Sequence, residues 1–89
     1  MAYKEIIDKL KNDGAIYRCQ AIFECLERQI QDPEVFIAIS DLKNDKVRIL
    51  GRKISSYALA TLDILGKETY KGNDVEVQEL IPELRNCFS

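Results

Sequence analysis

Ile7-Asp8-Lys9-Leu10-Lys11-Asn12-Asp13 and Ile39-Ser40-Asp41-Leu42-Lys43-Asn44-Asp45 share one frame, Ile-x-x-Leu-Lys-Asn-Asp, and that pair decides the architecture. A third Ile-x-x-Leu frame follows at Ile81 and Leu84. There the likeness extends backwards, because Asp32, Glu34 and Val35 match Asp74, Glu76 and Val77. Self-similarity at periods of a few tens of residues points to stacked helical units, each burying its apolar face against the next. The feature speaks to architecture, and to function only through it.

Working outward from these frames, apolar spacing predicts about five helices in antiparallel hairpins, an all-α fold. Tyr3, Ile6, Ile7 and Leu10 define the first helix, over residues 2–12, with Asn12-Asp13-Gly14 ending it. The second covers 15–31, with a broad stripe through Ile16, Tyr17, Ala21, Ile22, Cys25, Leu26 and Ile30. Asp32-Pro33 opens the third. The aspartate caps free amides and proline at the first helical position loses no hydrogen bond. That helix runs to Leu42. Residues 43–53 read as a loop or helical turn, with a short strand across Val47–Ile49 as the alternative; a lone hairpin is marginal without a sheet to join. The fourth helix spans 53–65 and is capped by Gly66. The fifth starts at Asp74 and runs through Leu84, where Pro82 is expected to kink or restart it, and the last few residues to fray.

The repeat frames align at unequal offsets, Leu10 to Leu42 and then Leu42 to Leu84. The even helices pair Ala21 with Ala58, Ile22 with Leu59 and Cys25 with Leu62. Two loop insertions, in 44–53 and 67–73, account for the difference. Asp-Pro-Glu-Val (32–35) opening one helix, and Ile-Ser-Ser-Tyr-Ala-Leu-Ala-Thr-Leu-Asp-Ile-Leu-Gly (54–66) forming the next, resemble HEAT repeats. Ile54, Ala58, Leu62 and Gly66 fit the family's second-helix pattern. Its usual arginine is Ser55 here, although Tyr17-Arg18 keeps it in the first copy. The resemblance covers residues 2–84 and implies a short α-solenoid, whose relatives usually bind proteins, sometimes nucleic acids, and rarely catalyse a reaction.

Composition narrows the classes. The 89 residues form a single domain, expected to bury only about 60–65% of the unfolded surface. With 46% hydrophobic and 31% charged residues the chain is neither disordered nor membrane-spanning. Residues 1–5 run straight into an amphipathic pattern rather than a secretory leader, so a cytoplasmic location is expected. The net charge of −2 neither attracts nor repels nucleic acid strongly. Cys19 and Cys25, six apart on one helix, are about 9 Å apart along its axis and too distant to bridge. All three cysteines, Cys87 included, are expected to be buried or half-buried apolar residues. With no histidine, no Cys-x-x-Cys pair and no glycine-rich loop, the sequence offers no metal site, no cofactor site and no catalytic residue.

Two candidate surfaces remain. Lys43, Lys46, Arg48, Arg52 and Lys53 cluster in the 43–53 insertion against Asp45 alone. They are candidates to neutralise phosphates, unless they pair with acidic residues of the fifth helix. Phe23 and Phe36, on the edges of their stripes, are candidate exposed anchors, since aromatics dominate interface hot spots. Glu79 and Glu83, one turn apart on the fifth helix, are candidate docking carboxylates that helix-dipole compensation does not explain. The expected function is a non-catalytic protein–protein interaction module: an adaptor, inhibitor or immunity-type factor. The alternative is a nucleic-acid-associated protein using the basic loop. Homodimerisation through the last helix is the further expectation.

Overall fold

Five helices fall where the apolar stripes put them, in a computed structural model that describes residues 3–88. They are α1 (Lys4–Leu10), α2 (Ala15–Glu27), α3 (Pro33–Ser40), α4 (Ile54–Ile64) and α5 (Val75–Phe88). Ala2, assigned by sequence to the first helix, lies outside the described residues. The fold is mostly helical, with one departure. Residues 43–47 are turn and loop as expected, but 48–53 form a ribbon of two antiparallel strands, β1 (Arg48–Ile49) and β2 (Arg52–Lys53), closer to the strand alternative. Arg48 pairs with Lys53 and Ile49 with Arg52.

The α1–α2 hairpin packs on the α3–α4 pair so that α1 contacts α3 and α2 contacts α4. Helix α5 makes its main contact with α4, and its last turn reaches α2 through Phe88. Helix α4 is therefore the centre. Ile54, Tyr57, Ala58, Ala60, Thr61 and Leu62 are all buried along it, and its small residues let neighbours approach closely. Leu10, Ile22, Ile39, Ile54, Leu62 and Leu80 are among the largest fully buried side chains, at least one from each helix. No helix among the described residues is long and apolar enough to cross a membrane.

Helix ends follow local chemistry. The Asp32 side chain accepts hydrogen bonds from the Glu34 and Val35 amides at 2.9 and 3.1 Å, with Pro33 at the first position. Asp74 repeats the device for α5, accepting from the Glu76 amide at 2.9 Å. Gly66, at φ +78°, closes α4: the Lys67 amide reaches the Leu62 carbonyl and the Gly66 amide the Asp63 carbonyl. Helix α2 uses the same closure without a glycine. Gln29 takes φ +49° while the Ile30 amide bonds the Cys25 carbonyl, so α2 stops at Glu27 and not near residue 31.

Two further expectations are corrected. Ile16 and Tyr17 are exposed, because the buried stripe of α2 begins at Arg18 and Cys19. Helix α5 continues through Pro82 to Phe88; Pro82 and Gln78 are both exposed, placing the unpaired helical carbonyl on the solvent side.

The insertion is tied to the helices by a buried charge pair. Arg18 Nε stands 2.9 Å from Asp45 Oδ2, with both side chains at 15% exposure or less. It is a charge contact and not an aligned hydrogen bond, since Nε has no hydrogen-bond partner. The guanidinium also donates to the Asn12 carbonyl at 2.6 Å. Removing one member of a buried pair leaves an uncompensated charge, so Arg18→Met should destabilise the fold by about 3 kcal/mol in urea unfolding. The double variant Arg18→Met, Asp45→Asn should cost less than the sum of the two single changes. Additive single effects would contradict the pairing.

Candidate interaction surface

The ribbon's turn is Leu50-Gly51, with φ of +54° and +84°. Two positive φ values match the right-handed twist of a tight hairpin and favour Asn-Gly there. Glycine adopts this conformation freely; leucine does not, and left-handed geometry costs an L-residue about 1–2 kcal/mol. The Leu50 side chain is nevertheless 72% exposed. Behind the turn, Tyr57 Oη donates to the Ile49 carbonyl at 3.3 Å, and the Ile54 and Ser55 amides bond the Val47 and Asp45 carbonyls. These contacts fasten the ribbon to the start of α4.

Four of the five basic residues that the sequence singled out are paired. Lys43 meets Glu68 at 2.6 Å, Arg48 meets Glu76 at 3.6 Å, Arg52 meets Glu83 at 2.9 Å and Lys53 meets Asp74 at 3.3 Å. Lys46 makes no ion pair among the described residues, and Asp45 is turned inward to Arg18. The basic cluster and the acidic segment 68–83 are thus two halves of one contact. Glu83 belongs to it. Glu79, exposed one turn earlier on α5, forms no ion pair among the described residues.

The centre of the contact is Glu76. Its Oε1 accepts the Lys53 backbone amide at 2.6 Å, and that bond, with the charges of Arg48 and Lys53, holds its carboxyl below the ordinary 4.5. The Glu76 backbone amide likewise draws Asp74 below 3.8, aided by Lys53. Both shifts are depressions, so the stability they contribute is complete above the unfolded values and is lost as pH falls through the folded ones.

Beside the ribbon runs an apolar groove of about 240 Å³, floored by Phe23, Tyr57, Leu80, Leu84 and Phe88 and flanked by Leu50. Its rims differ in sign, with Arg52 on the ribbon and Glu83 on α5. The Phe23 ring packs edge-on to Tyr57 at 5.6 Å and against Phe88 at 5.7 Å. Phe23 therefore keeps one half-buried edge at the groove. Phe36 does not qualify as an exposed anchor: it is 8% exposed in the core, with the Lys67 ammonium 5.8 Å over its ring. The phenylalanine edge that faces outward is on α2, not α3.

Cys19 and Cys25 are buried, as expected, and burial pushes their thiols up to about 11 and about 12. They stay protonated near neutrality and are poor nucleophiles. Cys87 departs from expectation: it is exposed and lines the groove. Among the described residues no three Asp, Glu or Cys side chains are grouped to hold a metal ion. Comparison of the chain with protein-family models, with curated proteins and with solved structures finds no match.

Two outcomes follow from this geometry. Stability measured by urea unfolding should fall as pH drops below 4.5, and Glu76→Gln should cost about 1 kcal/mol at neutral pH while flattening that acid limb. An unchanged acid limb in the variant would contradict the Lys53–Glu76 contact. In native buffer an alkylating reagent should modify Cys87 alone, with Cys19 and Cys25 reacting only after denaturation.

Proposed function

We propose that this chain is a non-catalytic protein-interaction module, a short HEAT-like helical stack acting in the cytoplasm that offers the ribbon, the groove and the outer face of α5 to a protein partner. The observation that carries the reading is Leu50, held at φ +54° and 72% exposed. Backbone strain persists where surrounding structure over-determines it, and it concentrates at functional positions. The turn itself gives no reason for leucine, since asparagine or glycine takes this positive φ at lower cost. The apolar groove at the same edge supplies the complementary feature.

The HEAT-like description draws on the α1–α3 and α2–α4 stacking of two hairpins and on the shared Asp32 and Asp74 caps. Further support for an interaction role comes from Ile37, 63% exposed on α3, and Val75, 63% exposed at the start of α5. The nucleic-acid alternative loses its main argument, because four of its five cations already neutralise carboxylates of the same chain. A phosphate backbone would have to displace those pairs.

The test is affinity capture with immobilised wild-type chain and with Leu50→Asp, each with and without nuclease and at two salt concentrations. A protein ligand that resists nuclease and salt, and that Leu50→Asp loses, is the expected result. A ligand retained equally by Leu50→Asp, or removed by nuclease, overturns the reading. In the second case Lys46 and its neighbours become the site.

A further inference from the structure

We propose that residues 46–53 form a strap that peels from the helices as one unit while the helical scaffold stays folded, uncovering Tyr57 and widening the groove. Its use as a gate on the groove rests on the interaction reading above; the motion itself needs no partner. Three observations carry it.

The first is what holds the ribbon down. None of residues 43–53 is buried. Ile49 is half-buried against the core, while Val47 and Leu50 are exposed. The remaining attachments are polar: the Tyr57 hydroxyl on the Ile49 carbonyl, Glu76 on the Lys53 amide, and the pairing of Arg48, Arg52 and Lys53 with Glu76, Glu83 and Asp74. Water replaces such contacts when they break, so their net contribution is small. Helix α4 beneath is buried along its length by apolar packing. Local openings are drawn from segments with few buried apolar groups, and the ribbon is one.

The second is strain. The closed ribbon holds Leu50 at φ +54°, a left-handed geometry that disfavours leucine. A two-stranded hairpin lifted off its anchors does not persist in water. Peeling therefore melts the turn and returns Leu50 to ordinary backbone geometry, which favours the open form.

The third is where the motion stops. The Asp45 carboxylate is held by Arg18 and by the Val47 amide, and its carbonyl accepts the Ser55 amide. The Arg18 contact is buried and independent of α5. Both ends of the segment are thus tied to one fixed point, and the chain between them can lift without moving α3 or α4. Tyr57, 3% exposed under the closed ribbon, is the side chain that lifting uncovers, and it already lines the groove with Leu50 and Arg52.

The experiment is amide hydrogen exchange of the purified full chain at increasing urea below the unfolding transition, read residue by residue for wild type and Leu50→Asn. The Lys53 and Ile54 amides should exchange through an opening that urea barely accelerates, because it exposes little surface. The Ala60, Thr61 and Leu62 amides of α4 should require a steeply urea-dependent opening. Leu50→Asn, which suits the turn, should slow exchange at Lys53 and Ile54 by about fivefold or more. Lys53 and Ile54 sharing the urea dependence of α4 would show that the ribbon leaves only in global unfolding and would overturn the strap. A Leu50→Asn chain in which these amides exchange no more slowly overturns it as well. Because no partner is present, the result is separable from affinity capture. A strap that opens in a chain with no Leu50-dependent ligand removes the interaction reading alone; a Leu50-dependent ligand on a ribbon that opens only globally removes the strap alone.

Discussion

The buried pair between Arg18 and Asp45 is the constraint on which the rest of the structure depends. Arg18 sits on α2 and bonds the carbonyl of Asn12, so the same side chain that fixes the α1–α2 turn also receives the insertion. Asp45 answers from the other side. Its second carboxylate oxygen accepts the Val47 amide at 3.0 Å and its carbonyl accepts the Ser55 amide. One contact therefore sets where the insertion leaves α3 and where it re-enters α4. Between those points the chain must reverse in a few residues, and a two-stranded ribbon is the shortest way to satisfy its backbone groups. An isolated hairpin of this length is marginal in water. Here it is anchored at its base by Asp45, on one side by Tyr57, and on the other by Glu76.

This anchoring changes what the charges mean. Five cations in a nominal loop, and a run of carboxylates some twenty to thirty residues later, suggest two sites of opposite sign. Folding brings them together, and each largely cancels the other. Surface ion pairs contribute little individually, typically up to about 1 kcal/mol, so their importance here is geometric. They hold the ribbon at a fixed angle beside α5 and leave its apolar tip as the feature that stands out. The groove follows from the same arrangement, since its two rims are the two partners of the clamp.

Much of the fold was legible in the sequence because it was encoded locally. Asp32-Pro33 marked a helix start and Gly66 a helix end, through capping chemistry that acts within a few residues. The match between Asp32 and Asp74 places the start of the fifth helix, where the Asp74 side chain accepts the Glu76 amide. The ribbon was less legible. Its strands are two residues each, too short to show alternation, and Leu50-Gly51 disguises a turn that usually reads Asn-Gly. Gln29 hid the end of α2 in the same way, since a left-handed glutamine carries no sequence signal. Phe23 and Phe36 looked equivalent at the edges of their stripes. Tertiary packing alone separates them, with Phe23 half-buried between Tyr57 and Phe88 and Phe36 in the core beneath Lys67. The sequence allows pairing of the basic cluster with acids of the fifth helix, but the specific pairs, and that of Lys43 with Glu68 ahead of α5, are set by tertiary structure alone.

The central claim is that residues 45–55 form a clamped, hydrogen-bonded ribbon presenting Leu50. Amide hydrogen exchange on the native chain, read residue by residue by nuclear magnetic resonance, tests it most directly. The account predicts slow exchange at Lys53, Ile54 and Ser55, whose amides are held by Glu76, Val47 and Asp45, while the Leu50 and Gly51 amides at the tip exchange fast. Exchange at unfolded-chain rates at all three positions, with the α2 and α4 amides still protected, would show a loose insertion on a helical scaffold and contradict the account.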